Sequence, residues 1–155
     1  MIIKNLLISI STCFAFAILG TLFTGDALQE WFPYLEQPSF ALSVSGWLLV
    51  GTLYYIMAIA ILFRLVSAPD SPERKKLIQW TLAMLAGNEL WNFLFFGLES
   101  TLAGFIGLIP FAAVVVWFFI QLRAYDRLSS WILLPYLLWL VYDLVWAYSL
   151  WRLNS

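Results

Sequence analysis

Histidine is absent from the 155 residues, and cysteine occurs once, as Cys13. The imidazole and thiolate sets that usually hold zinc, copper or iron cannot then be assembled within one chain, and no intrachain disulfide can form. The same absence removes Ser-His and Cys-His nucleophilic pairs together with the commonest general base, leaving carboxylates and phenols. Charge is scarce too. Asp, Glu, Lys and Arg make up 11% of the chain, where soluble domains carry roughly a quarter. With a net charge of −1, neither a basic nucleic-acid footprint nor an acidic tail is present. No metal site and no required cofactor follow from this composition, and enzymatic function is disfavoured.

What the chain has is apolar length. Apolar residues make up 63%, gathered into runs too long for a small core, so the solvent is expected to be lipid. Five runs, 5–23, 44–63, 77–98, 101–122 and 130–150, approach the roughly 20 residues that cross a bilayer. The fold class is therefore all-α, a polytopic bundle of five transmembrane helices forming one domain over 1–155. Lys4 precedes the first run, but the run outlasts a signal-peptide core and shows no convincing small-residue cleavage site, so it reads as a retained helix. Cys13, inside it, reads as a small buried or lipid-facing residue.

The polar connections are 24–43, 64–76, the 99–100 turn and 123–129. Five spans place Lys4, Arg64, Arg74, Lys75, Lys76, Arg123 and Arg127 on one side and only Arg152 on the other. The positive-inside rule then predicts a cytoplasmic N-terminus, with 24–43 outside. A bacterial cytoplasmic membrane is the default location, since nothing reads as an organellar presequence. No internal repeat is evident. Pro110 and Pro135 are expected to kink spans four and five.

Nine tryptophans stand in the chain. Trp31, Trp80, Trp131 and Trp151 lie near span ends, as an interfacial belt would. Trp47, Trp91, Trp117, Trp139 and Trp146 lie deeper, where either packing or an aromatic-lined pocket explains them. In span three, at about 100° per residue, Asn88, Trp91, Asn92 and Phe95 share a face. Amides facing lipid are costly, so that face should point inward, for interhelical bonds or for a site. Tyr136, Trp139, Asp143 and Trp146 share a face of span five.

The order Asn88, Trp91, Phe95-Phe96, followed by Pro135-Tyr136-x-x-Trp139 and Trp151-Arg152-x-Asn154, resembles the translocator protein family of tryptophan-rich sensory proteins. Trp31, Tyr34, Leu35 and Pro38 are similar to that family's Trp-Tyr-x-x-Leu-x-Lys-Pro-x-Trp loop signature, and the matches run over 31–154. There are departures. Gln37 stands for the lysine, Phe40 for the last tryptophan, and Ala41-Leu42-Ser43 for a proline-rich stretch. Gly51 stands for a tryptophan of span two, with Trp47 one turn earlier on the face of Tyr54. Asp143 replaces a small cavity-facing residue.

The resemblance implies a five-helix bundle, usually a homodimer, whose loop between spans one and two caps a cavity for porphyrin, haem, other tetrapyrroles, sterols or benzodiazepine-type drugs. Carried over by motif, the ligand-binding residues are Trp31, Tyr34 and Pro38 from the loop, Asn88, Trp91, Asn92 and Phe95 from span three, and Tyr136, Trp139 and Asp143 from span five. Trp47 and Tyr54 are added by helix phase. Leu144, Tyr148 and Arg152 match a short sterol-contact pattern, which an aromatic girdle with a snorkelling arginine also explains. The favoured expectation is a protein that binds, senses or transports a lipophilic ligand, with membrane lipid around it and a homodimer as its assembly. One alternative, also implied by the resemblance, is light- and oxygen-dependent porphyrin breakdown, for which Gly51 removes an indole. Another is a structural or partner-modulating protein using the Ala83-x-x-x-Gly87 and Ala103-x-x-x-Gly107 surfaces.

Asp143 is the costliest residue of span five, since a charged aspartate at the bilayer centre costs at least ~2.5 kcal/mol. It is expected to face the bundle interior. Three states are open to it: a neutral acid, a carboxylate bonded to Asn88, Asn92 or Tyr54, or an anion awaiting a cationic ligand group.

Overall fold

The computed structural model describes residues 2–155, and among them there is no strand. Six α-helices follow in order: α1 (Ile2–Thr24), α2 (Ala27–Glu30), α3 (Val44–Ser67), α4 (Pro72–Asn92), α5 (Thr101–Tyr125) and α6 (Arg127–Leu153). A 3-10 turn, Phe32–Tyr34, follows α2, and a π-helical turn, Phe93–Gly97, extends α4. The long helices start where short polar residues can take a first-turn N–H. Ser43, Ser71, Ser100 and Asp126 accept from the backbone of Gly46, Arg74, Ala103 and Leu128 at 3.3, 3.1, 3.1 and 3.1 Å. Pro72 after Ser71 has the fixed φ that suits a first helical position. At the other end of α3, the Arg74 guanidinium donates to the Leu65 and Val66 carbonyls at 2.7 and 3.1 Å.

The helices outrun the apolar runs. Most of 64–76 and 123–129, expected as connections, is helical, and the real breaks are residues 68–71 and Asp126. Hydropathy marks where a helix leaves the apolar layer, whereas hydrogen bonding continues to the next cap. Pro110 and Pro135 lie inside continuous helices. Four helices, α1, α3, α5 and α6, are long and apolar enough to cross a membrane. The expected 77–98 span lies in α4 and its π turn, which carries Glu73, Arg74, Lys75 and Lys76 in its first turns and Glu89 deeper in, and it falls outside that measure.

The five long helices close into a ring in the order α1, α3, α6, α5, α4, and α3 also meets α4 across it. Large apolar side chains such as Leu49, Leu53, Ile56, Ile109, Val116, Trp117, Leu138 and Val141 cover the outside. An apolar exterior of this extent belongs in lipid. Inside, the half toward Ser67 and Asp126 is solidly filled by Ile61, Leu65, Leu85, Val115, Phe118, Leu122 and Leu133, all fully buried. Gly87 and Gly107 serve this chain's own packing, since a Cβ on them would meet the Phe111 ring and Leu94. Both glycines thus let α4 and α5 pack closely. Helical hydroxyls of Ser9, Thr21, Thr52 and Thr81 donate to the carbonyl four residues back, which satisfies them without water.

Seven of the eight cations gather at the filled end. There Asn5 donates to Ser67 at 3.1 Å, and Arg64 grips the Asp126 carboxylate with Nε at 2.8 Å and Nη2 at 2.9 Å. Ser129 donates to the same carboxylate at 2.6 Å. Arg64, with Ser129, holds the Asp126 carboxyl down at about 2, against 3.8 ordinarily. A lowered carboxyl stabilises the fold above pH 3.8, and that contribution is lost as pH falls through 2. Because the Arg64 side chain is 38% exposed, solvent screening limits the gain to below about 1 kcal/mol. Asp126→Asn, which keeps a cap but not the ion pair, should melt lower than the parent in detergent at neutral pH. The deficit should close between pH 4 and 2, and a deficit that ignores pH would rule out the ion pair as its cause.

Candidate functional site

The half of the ring under the 25–43 loop, its lid end, is hollow. A cavity of about 420 Å³ lies between the lid ends of α1, α3 and α4 and the middles of α5 and α6. Its size falls in the range, roughly 300–1,000 Å³, that takes small-molecule ligands. Leu28, Gln29 and Phe32 roof it, and Gly51, on α3, contributes open space rather than a wall.

One wall is aromatic. Trp47 packs on Trp146, Trp139 and Tyr142 with ring centroids 4.5, 5.4 and 6.1 Å apart. Tyr54 and Tyr136 meet at 4.7 Å, below them toward the filled half. The Tyr54 hydroxyl donates to the Met84 carbonyl at 3.2 Å.

The opposite wall is amide. Asn88 and Asn92 lie one turn apart on α4, and both donate from Nδ2 to Glu89, at 3.0 and 2.9 Å. Tyr55, from α3, donates its hydroxyl to the same carboxylate. Glu89 is 1% exposed and sits behind the wall, where Gly20 of α1 leaves room for it; a Cβ at Gly20 would fall on the carboxylate. A carboxylate only accepts, so the amide nitrogens must face it and the amide oxygens do not bond to it. Trp91 donates Nε1 to the Gly104 carbonyl at 3.0 Å and stacks on Phe95.

Of the sequence-predicted site residues, Trp47, Tyr54, Asn88, Trp91, Asn92, Tyr136, Trp139 and Asp143 line this cavity. Trp31, Tyr34, Pro38 and Phe95 do not. The π turn explains Phe95. Its wider ring, with Leu98 N–H bonded to Phe93 and Ser100 N–H to Phe95 at 2.9 and 3.0 Å, shifts the helix phase. Phe96 then takes the cavity face, while Phe95 turns onto Gly104, where a Cβ would meet its ring. Trp31 is an edge-on prop for Phe95 at 5.2 Å, Pro38 is buried in the loop, and Tyr34 is 84% exposed. The loop signature, counted from Trp31, puts its second aromatic at Phe32 and leaves Tyr34 at an unspecified position. Phe32 is the residue that enters the roof.

Sequence reasoning also left out Trp146, Tyr55 and Phe111, all lining residues; Trp146 stands on the helix face already identified through Trp139 and Asp143. Asp143 is not bonded to Asn88, Asn92 or Tyr54, whose donors go to Glu89 and Met84. That outcome is excluded because Glu89, on the same helix as the two asparagines, reaches them first, and the Met84 carbonyl takes the Tyr54 hydroxyl. Leu144, Tyr148 and Arg152 stand outside the cavity. Tyr148 and Trp151 pack on Phe105, and Arg152 lies over the Trp151 ring at 5.6 Å, a girdle at the lid end. No group of three or more potential metal-ligating side chains gathers among the described residues.

A family model described as the TspO/MBR family matches residues 9–152. The tryptophan-rich protein TspO of Archaeoglobus fulgidus is 29% identical over 157 residues, covering 99% of each chain. That of Chlorobaculum tepidum is 27% identical over 161 residues, 98% of this chain and 97% of its own. Protein CrtK of Rhodobacter capsulatus is 27% identical over 138 residues, 87% of this chain and 83% of its own.

The loop over the cavity is tied down by side chains of α6 and its C-terminus. Asn154 accepts from the Glu36 N–H at 2.9 Å and donates to the Glu36 carbonyl at 3.0 Å. Tyr142 accepts from Leu42 N–H at 3.2 Å and donates to the Phe40 carbonyl at 3.1 Å. Asn154→Ala removes the first clamp, whose two solvent-exposed bonds are together worth about 1 kcal/mol. Amide exchange over residues 32–38 should therefore quicken roughly fivefold, with the filled half unchanged. Unaltered protection at Glu36 would show that the loop is held without Asn154.

Proposed function

From the premise that this chain belongs to the TspO/MBR family and is a multi-pass helical membrane protein, we propose that it binds a flat, lipophilic ligand, a tetrapyrrole or similar molecule, in the cavity under its loop. The reading extends to sensing or transport of that ligand by a homodimer in a bacterial cytoplasmic membrane. The observation that carries it is the cavity itself: about 420 Å³, with indole and phenol rings on one side and oriented amides on the other. Rings suit a flat apolar body, and a few fixed polar groups set its orientation.

Gly51 supplies the test. It lines the cavity and a Cβ there would meet nothing within 4 Å, so a larger side chain fills the site without disturbing packing. Replacing a helix-interior glycine also favours the fold by up to about 1 kcal/mol. Gly51→Phe should weaken binding of protoporphyrin dimethyl ester at least about tenfold, about 1.4 kcal/mol, read by tryptophan quenching, while the melting temperature holds or rises. Equal affinity in the variant and the parent would put the ligand elsewhere.

The same reading includes five membrane spans, with α4 as the third, and the cation-rich end in the cytoplasm. The sole native cysteine, Cys13, is buried, so single cysteines report cleanly once Cys13→Ala is made. In intact cells an impermeant maleimide should label Ser155→Cys and spare Ser71→Cys. The reverse pattern would invert the orientation, and labelling of both or neither would break the five-span count.

A further inference from the structure

Three buried side-chain polar atoms have no hydrogen-bond partner among the described residues: Gln37 Nε2, Trp47 Nε1 and Asp143 Oδ1. Gln37 is engaged through its other end, accepting from Trp146 Nε1 at 3.4 Å. Trp47 and Asp143 both line the cavity. They are also neighbours. Trp47 lies against Trp139 and Trp146, four residues before and three after Asp143 on α6, so it covers the stretch of helix from which Asp143 projects. Trp139 approaches the Asp143 carboxyl from its own helix, yet Oδ1 stays unmatched.

An unmatched acceptor and an unmatched donor on facing helices of one cavity form a two-point recognition element for a ligand with the opposite pair. Its polarity is settled by the other walls. No lysine or arginine stands among the lining residues, and Asp143 is their one acidic side chain. The second carboxylate nearby, Glu89, faces away from the cavity and is saturated by Tyr55, Asn88 and Asn92. A carboxylate-bearing ligand would find no cation here, only the Asp143 carboxyl group. A protonated amine would find a carboxylate oxygen and the electron-rich faces of Trp47, Trp139 and Trp146, which attract cations.

We propose that the cavity takes an apolar body carrying a protonated amine, its N–H on the Asp143 carboxyl group and a nearby hydrogen-bond acceptor of the same ligand toward Trp47 Nε1, in preference to a carboxylate-bearing ligand. This rests on the ligand-binding reading of the cavity and adds the charge of what is bound.

The test uses one apolar body with three ends: 1-pyrenebutylamine, 1-pyrenebutanol and 1-pyrenebutyrate, titrated at pH 7 into the full-length protein in a non-ionic detergent. Binding is read by loss of tryptophan emission. In the parent the amine should bind at least about tenfold tighter than the carboxylate, the scale of one hydrogen bond to a charged group, with the alcohol between them. Asp143→Asn, nearly the same shape, should bring amine and carboxylate within about twofold, with the alcohol still bound. A carboxylate that binds the parent as tightly as the amine, alongside a bound alcohol, overturns the charge preference and leaves the ligand site standing. A preference that survives intact in Asp143→Asn removes Asp143 as its source. Failure of all three probes overturns the ligand-binding reading together with this one. The parent comparison decides the question even where the variant is poorly folded.

Discussion

A carboxylate inside a bundle surrounded by hydrocarbon must find its hydrogen-bond donors within the protein, and Glu89 finds three. Leaving it unmatched would cost several kcal/mol, so the helices that supply those donors are held in register. Tyr55 fixes α3 against α4, Asn88 and Asn92 are turned to present their oxygens inward, and α1 approaches closely because Gly20 has no side chain to collide with the carboxylate. The amide wall of the cavity is thus a consequence of one buried acid. Its place, at the joint of α1, α3 and α4, is also where the solid half of the bundle gives way to the hollow half.

The other wall is kept open by shape. Indoles are too large and rigid to collapse onto one another, and here they meet edge-on or tilted, as their quadrupoles prefer. Trp47, Trp139, Tyr142 and Trp146 form one such lattice, and through Trp146 it joins Phe95 and Phe32 under the loop. The roof is therefore an extension of the wall. With Asn154 and Tyr142 gripping the loop backbone, the covering segment is fixed at its flanks and in its middle.

The all-helical, multi-pass class and the inward faces were legible because run length reads depth in lipid, and residues three and four apart read a face. Asn88, Trp91 and Asn92 were recoverable in this way, as were Tyr136, Trp139 and Asp143. Phase reasoning failed at Phe95, where one π turn rotates everything after it and nothing in Phe93–Gly97 announces a wider turn. It failed for Glu89 for a different reason. By helical phase that side chain falls at the flank of the amide face, and a glycine on another helix creates the space it occupies. Charge in the first turns of α4 separates it from the other long helices on hydropathy alone, although the ring needs it between α1 and α5. The roof was misread through Tyr34 because an exposed aromatic and a buried one, two residues apart, look alike in composition.

Two departures from the family pattern bear on one volume. Gly51 stands where an indole is expected, and Asp143 where a small side chain is; both line the cavity. Either change alone would be awkward. An unmatched carboxyl oxygen packed against filled walls carries its whole desolvation penalty, whereas at the edge of a cavity a turn of the side chain brings it to water or to a ligand group. Without Asp143, the space beside Trp47, Trp139 and Trp146 would be bordered on that side by rings alone, and unfilled apolar volume costs stability in proportion to its size. Together they make a site that is larger and more polar, and the contrast with Glu89 shows the difference in role. One carboxylate is saturated from within and organises the walls; the other is left unsatisfied where the walls have been drawn back.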